Sequence, residues 1–219
     1  MRRTPLAMAR MEEADRLRIE EELSELAGRG EHGQVAEHLV RRYGPEIFGF
    51  IAATLGDHTA AEDVFSIFCE QVLRGARSFQ GKSSFRTWAF TVARNAAYQY
   101  RLAERRRGRR EIGLPDSSPL FAVAARVRTE TAGYLKTEVK SRFAALRDEL
   151  SEDDRALLVL RVDKGLGFED IATILGGANE SLAEGASLKR EAARLRKRYQ
   201  LVKEKLVELG RREGLLRDE

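Results

Sequence analysis

Cysteine is nearly missing from this chain: Cys69 stands alone among 219 residues. No intrachain disulfide framework and no Cys-rich zinc site can be built from it. Histidine is scarce as well. His32, His38 and His58 sit near no cysteine or carboxylate at ligand spacing, so no metal site is expected. No apolar run approaches the roughly 18–20 residues that span a bilayer, and no membrane insertion is expected. The first residues, MRRTPLAMARMEEADRLRIEEE, are too charged for a secretory signal, so a cytoplasmic protein is the default expectation. Clean period-two alternation is absent, which argues against half-buried strands. No acid–base, nucleophile or metal constellation appears, so neither an enzyme nor a cofactor is expected. Gly81-Lys82-Ser83 ends like a phosphate-binding loop. Five residues rather than four separate it from Gly75, however, and no strand precedes it, so nucleotide hydrolysis is rejected.

What is present is a folded, helical, charge-rich chain. Apolar residues make up 42% and charged residues 34%, enough apolar surface to offset the entropy of ordering. Ile19, Leu23 and Leu26 step by four and three, predicting a helix over about Met11 to Ala27. Val35, Leu39, Tyr43, Ile47, Ile51 and Leu55 form a ladder of fours across Gly44-Pro45, either two helices or one kinked helix. Thr59-Ala60-Ala61-Glu62 reads as a capping box, followed by an apolar face of Val64, Phe65, Phe68, Cys69, Val72 and Leu73. SFQGKSS is a loop, and Ser84 caps a helix with the buried stripe Phe85, Trp88, Ala89, Val92 and Ala96. Pro115 and Pro119, with glycine and serine around them, mark a domain boundary. Val139, Phe143, Leu146 and Leu150 predict another helix. Ser151 caps the next, and Phe168, Ile171, Ala172 and Leu175 predict a short one stopped by Gly176-Gly177. Leu188 to Leu209 alternates steps of four and three, a helix about 36 Å long over Ser187–Gly210 at 1.5 Å per residue. The expected fold class is all-α: two small helical domains joined by a linker.

Charge is the first functional clue. The net charge is only +4, yet the isoelectric point is 9.3, so distribution decides. Arg101 to Arg110 carries six arginines against Glu104, and Lys189 to Lys205 carries eight basic residues against Glu191 and Glu204. A lone basic run is ordinarily a solvated helix face. Two runs, each ending a compact helical unit, point instead to phosphates. Arg94, Tyr98, Arg101 and Arg105 share a helical face, joining cations to an aromatic on which a base can stack. The second run follows a short helix and a glycine stop, as in a helix-turn-helix whose second helix enters a major groove.

With these features in view, LGDHTAAEDVF followed by SFQGKSSFRTWAFTVARNAA resembles the second region of extracytoplasmic-function RNA polymerase sigma factors. RFAALRDELSEDDRALLVLRVDKGLGFEDIATILG looks like the start of that family's fourth region, and ARLRKRYQLVKEKL resembles its recognition helix. The resemblance implies a non-catalytic subunit that brings core RNA polymerase to promoter DNA and helps open it. Its partners would be core polymerase, promoter DNA and, in some settings, an anti-sigma factor. It would work in the cytoplasm, associated with the nucleoid. It implies the organisation 1–32, an N-terminal helical extension; 33–110, region 2; 111–135, the linker; and 136–212, region 4.

Residue by residue, the resemblance carries polymerase binding to Glu62, Asp63, Val64, Phe65 and Phe68. Holding the −10 element as single strand falls to Phe79, Gln80, Lys82, Ser83, Arg94 and Asn95, with Tyr98 and Arg101 on the adjoining face. Reading the −35 element as duplex falls to Arg194, Arg196, Lys197, Arg198 and Gln200. Two departures stand out. Ser66 and Ile67 replace the Gln-Glu pair common after the acidic motif, and GGANESLAEGASLKRE lengthens the helix-turn-helix turn. A stand-alone helix-turn-helix regulator, dimerising through the Leu188–Leu209 seam, is the alternative; a helical adaptor without a DNA role is a third. The leading expectation has the two basic surfaces held apart by a flexible tether.

Overall fold

The computed structural model of the protein describes residues 13–106, 120–138, 142–176 and 185–214. Among them every regular element is helical and no strand occurs. The expected helix near the N-terminus is α1, Glu13–Gly28, whose Ile19 and Leu23 are buried. The ladder of fours forms one helix, α2, His32–Leu55, with Pro45 inside it. Gly44, just before the proline, is needed for close approach. A Cβ there would stand 3.2 Å from Val127 and 3.5 Å from Phe65.

α2 ends at Gly56, which adopts the left-handed conformation (φ 69°) and donates its N–H to the Ala52 carbonyl, as glycine does at helix ends. α3, His58–Gly75, is capped by Asp57, whose carboxylate accepts the N–H groups of Thr59 (2.8 Å) and Ala60 (3.2 Å). This moves the expected cap back by two residues: the Asp57 carboxylate outcompetes the Thr59 hydroxyl for the free N–H groups. A short 3-10 turn, Ala76–Ser78, leads to the loop before α4, Phe85–Arg106. Ser84 caps α4 as expected, its hydroxyl accepting the Thr87 N–H at 3.0 Å.

The stretch expected to be a tether is in large part a helix, α5, Phe121–Glu138. Leu120, Ala124 and Val127 are buried, and α5 lies along α2 and α3. Alanine and valine in a run read only as an interdomain segment supplied this apolar face. α6 (Arg142–Asp148), α7 (Glu152–Leu158), a π turn (Val159–Asp163), α8 (Phe168–Gly176) and α9 (Gly185–Arg212) complete the chain. Val139 and the 177–184 part of the helix-turn-helix insertion lie outside the described residues.

Ser151 caps α7, accepting the Asp154 N–H at 3.2 Å. Within α7 and the π turn, Leu157, Leu158 and Leu160 are buried as a helical stripe demands, but Val162 is 49% exposed, because the wider π turn rotates it away from the core. Tyr43, Phe48, Phe50, Phe65, Phe68 and Phe90 are fully buried. Their cluster runs without a break into Leu157, Leu160, Ile171, Ala172 and Leu195 of the second half. The two helical units therefore share a continuous apolar interior, and α2 and α4 touch α7 and α8. The expectation of two basic surfaces held apart by a flexible tether is corrected accordingly.

Candidate nucleic-acid interface

The loop before α4 is built on aromatic packing. Phe79 lies 4.2 Å from the Phe85 ring and 5.3 Å from Trp88, and Gly81 takes a positive φ of 67°. Gln80 and Lys82 are exposed, while Phe79 and Ser83 are partly buried. Phe79 is thus half anchor and half surface, and the polar tip of the loop faces water.

Sequence reasoning missed the group that sets this loop. Glu20 of α1 accepts the backbone N–H groups of Phe85 (2.7 Å) and Arg86 (2.9 Å). It therefore caps α4 from a distant helix, filling donors that a helix start leaves free. The Tyr43 hydroxyl donates to the same carboxylate at 2.9 Å. Burial, and then the Glu20 charge, push the Tyr43 phenol well above its ordinary range, so it stays a donor. Nothing in the run Glu20-Glu21-Glu22 singled out the first. Its helical phase with Ile19 and Leu23 was the available signal.

On the next turns of α4, Tyr98 is 58% exposed and the Arg94 guanidinium lies over its ring at 5.7 Å, a cation–π contact. Asn95 is partly buried. Arg94 also donates to Asp153 of α7 at 2.6 Å. Arg101 donates to the Leu55 carbonyl at 3.0 Å and stands 3.7 Å from Glu152. The Arg105 and Arg106 side chains and all of Arg107 to Arg110 lie outside the described parts.

On α9, Arg194, Arg196, Lys197 and Gln200 are exposed. Arg196 covers one side of Phe168 at 5.1 Å, and Arg161 approaches the same ring at 4.9 Å. Arg198 is drawn inward to Asp154 at 2.6 Å. Arg161 and Phe168 were not expected in this group, since Phe168 read only as a core position.

The acidic motif of α3 divides. Val64, Phe65 and Phe68 are completely buried, which corrects their assignment as docking contacts: a helix packed on both sides gives its apolar face to its own core. Glu62 and Asp63 keep surface. Glu62 stands 3.5 Å from His58 Nδ1, and Tyr100 donates to Asp63 at 3.4 Å. Ser66 is covered by α5, accepting from Arg128 at 2.9 Å. No helix among the described residues is long and apolar enough to cross a membrane.

Comparison with known proteins identifies the family. The family model for Sigma-70 region 2 matches residues 39–107, from the middle of α2 through α4. The RNA polymerase sigma-H factor of Pseudomonas aeruginosa is 30% identical over 166 residues, spanning 71% of this chain and 82% of that protein. The ECF RNA polymerase sigma-E factor of Haemophilus influenzae is 29% identical over 140 residues, 63% of this chain and 74% of that protein. The ECF RNA polymerase sigma factor SigX of Bacillus subtilis is 24% identical over 166 residues, 76% and 84% of the two chains. The chain belongs to the extracytoplasmic-function RNA polymerase sigma factors. It is a sigma factor of transcription initiation, a regulatory subunit that directs polymerase to promoters.

Proposed function

We propose that the loop Phe79–Ser83, with Arg94, Asn95, Tyr98 and Arg101, holds the −10 element of the promoter as single strand. Arg194, Arg196, Lys197 and Gln200 read the −35 duplex, joined by Arg198 once it leaves Asp154. Glu62 and Asp63 meet basic residues of core polymerase. The observation that supports this best is Tyr98, a large aromatic left exposed on a helix that buries Phe90, with a guanidinium over its ring. An extruded base stacked there would offset the cost of unstacking the duplex, a few kcal/mol per step. The resting ion pairs of Arg94 and Arg101 exchange carboxylates for phosphates. An anti-sigma factor, where one exists, would act by blocking these faces. The reading implies a cytoplasmic, nucleoid-associated protein.

The test is transcription from a promoter library with core polymerase, scored for strand opening by permanganate. Tyr98→Ala is expected to lower opening by roughly 5- to 150-fold, from about 1–3 kcal/mol of lost stacking, while leaving polymerase binding intact. Failure of the unaltered protein to stimulate initiation at any sequence would overturn the proposal. The dimeric regulator loses its support. Ala192, Leu195, Val202 and Leu209 of the seam are buried against the protein's own α6, α7 and α8.

A further inference from the structure

The first turn of α4 has an acceptor for every amide. Ser84 takes the Thr87 N–H at 3.0 Å, as an N-cap serine does. Such a cap leaves the two amides before it to water. Here both go to Glu20, the Phe85 N–H to Oε2 at 2.7 Å and the Arg86 N–H to Oε1 at 2.9 Å. The carboxylate is itself held. Tyr43 donates to Oε1, and Ile19 and Leu23 on the same helix are buried. Glu22 meets His38 at 2.7 Å and Arg42 at 3.6 Å. α1 is therefore fastened to α2, and through Glu20 it fastens the start of α4.

The loop Phe79–Ser83 rests on that same turn from both ends. At one end the Phe79 ring lies against Phe85 and Trp88. At the other, Ser84 is the cap. Between them Gln80 and Lys82 are exposed, and Gly81 turns the chain with its positive φ. The Ser83 hydroxyl donates to the neighbouring Ser84 carbonyl at 3.3 Å, a bond that reaches no other element. The shape of the loop is thus set by where the first turn of α4 stands.

We infer that Glu20 is a positioning residue for capture of the −10 strand: by holding the Phe85 and Arg86 amides it fixes the seat of Phe79 and presets the loop for an extruded base. The inference rests on the reading of Phe79–Ser83 as the −10 loop. Glu20 precedes the residues 39–107 that the family model matches, so the role belongs to the N-terminal helix. It acts through α4 rather than on DNA, by removing the cost of ordering the loop from the binding step. It also decides where phosphates go. Free amides at a helix start attract phosphate. With a carboxylate seated there, the strand's backbone is left to Lys82 at the loop tip and Arg94 further along α4.

The experiment uses the full chain assembled with core polymerase. The probes are the non-template strand of a promoter selected from the library, and that strand made abasic at one −10 position at a time. With the unaltered protein, the abasic position that weakens binding marks the captured base. E20A is expected to weaken binding of the intact strand by roughly tenfold, as loop ordering returns to the binding step. It should bind the strand abasic at that position as before, so the base-dependent difference closes. E20Q keeps one accepting oxygen and should fall between. E21A removes an exposed acid from the same helix and should change neither strand. Hydrogen exchange reports the fold: in E20A the Phe85 and Arg86 amides should exchange faster, while that of Phe65, in the core of α3, stays protected. Should E20A leave Phe65 unprotected, Y43F gives a second reading. It keeps both amide bonds, loosens the carboxylate and should close part of the same difference.

Equal loss on intact and abasic strands in a folded E20A, or loss on neither, would overturn the positioning role. An unchanged difference in both E20Q and Y43F would do so too. If no abasic position weakens the unaltered protein, the −10 reading of the loop is what falls, and the inference with it.

Discussion

Arg86 of α4 and Glu46 of α2 form a two-pronged ion pair, Nε to Oε2 at 2.9 Å and Nη2 to Oε1 at 3.0 Å. Their side chains are 7% and 13% exposed. A third bond from the same guanidinium reaches the Lys164 carbonyl, and its carbon lies 5.5 Å from the Phe90 ring. One side chain thus ties three segments together. Breaking such a pair leaves a buried charge without a partner, at a cost of about 3–5 kcal/mol. Arg86→Ala is expected to lose that much in urea unfolding. Arg86→Lys keeps the charge but loses the fork, and should recover only part of the loss. A change below about 1 kcal/mol for Arg86→Ala would show that the pair is immaterial.

The start of α3 separates two capping schemes. Asp57→Ala should cost about 1 kcal/mol, the usual worth of an N-cap side chain, whereas Thr59→Ala should change little. Paired thermal melts measure both. The reverse ranking would restore the capping box read from Thr59 and Glu62.

Gly56 carries two constraints at once. An alanine there meets a left-handed backbone, costing about 1–2 kcal/mol. Its methyl also crowds the Arg155 guanidinium, which donates to Asp148 and to the Leu150 carbonyl. Gly56→Ala should lower stability by more than the backbone penalty, and combining it with Arg155→Ala should cost less than the sum. Strict additivity in the double-mutant cycle would remove the steric link.

Alkali should unfold this protein early. Burial raises the Cys69 thiol and, with help from Glu20, the Tyr43 phenol above ordinary values of 9.0 and 10.0. The folded chain then holds protons that the unfolded chain releases. Stability is whole below those ordinary values and falls as pH climbs past them, by up to about 1.4 kcal/mol per pH unit for each group. Urea midpoints at rising pH measure the slope, and Tyr43→Phe should flatten it. In the same series Cys69 should resist alkylation until the chain unfolds. Rapid labelling at neutral pH would mean that the core around Phe65 and Phe68 opens locally.

Much of the helical framework was legible because apolar spacing alone sets which face a helix buries. Ile19 and Leu23, the α2 ladder and the α9 seam all lie inward as their periods require. The caps at Ser84 and Ser151 were legible for the same local reason. What spacing cannot register is a partner far along the chain. Glu20 lies 65 positions from the Phe85 amide it holds, and Asp153 lies 59 from Arg94. Period also fails to distinguish an apolar face that meets another protein from one that meets its own core, which is why Phe65 and Phe68 were misplaced. The α5 helix escaped notice because its stripe is made of small residues, Ala124 and Val127, next to prolines that marked a boundary.

The family match begins at residue 39, yet the carboxylate at position 20 holds the first amides of α4. A fragment trimmed to the matched region would keep the loop before α4 and still lack the carboxylate that holds the Phe85 and Arg86 amides. Trimming there should leave the first turn of α4 frayed, so a fragment that keeps this helix start must begin upstream of the residues the family model matches.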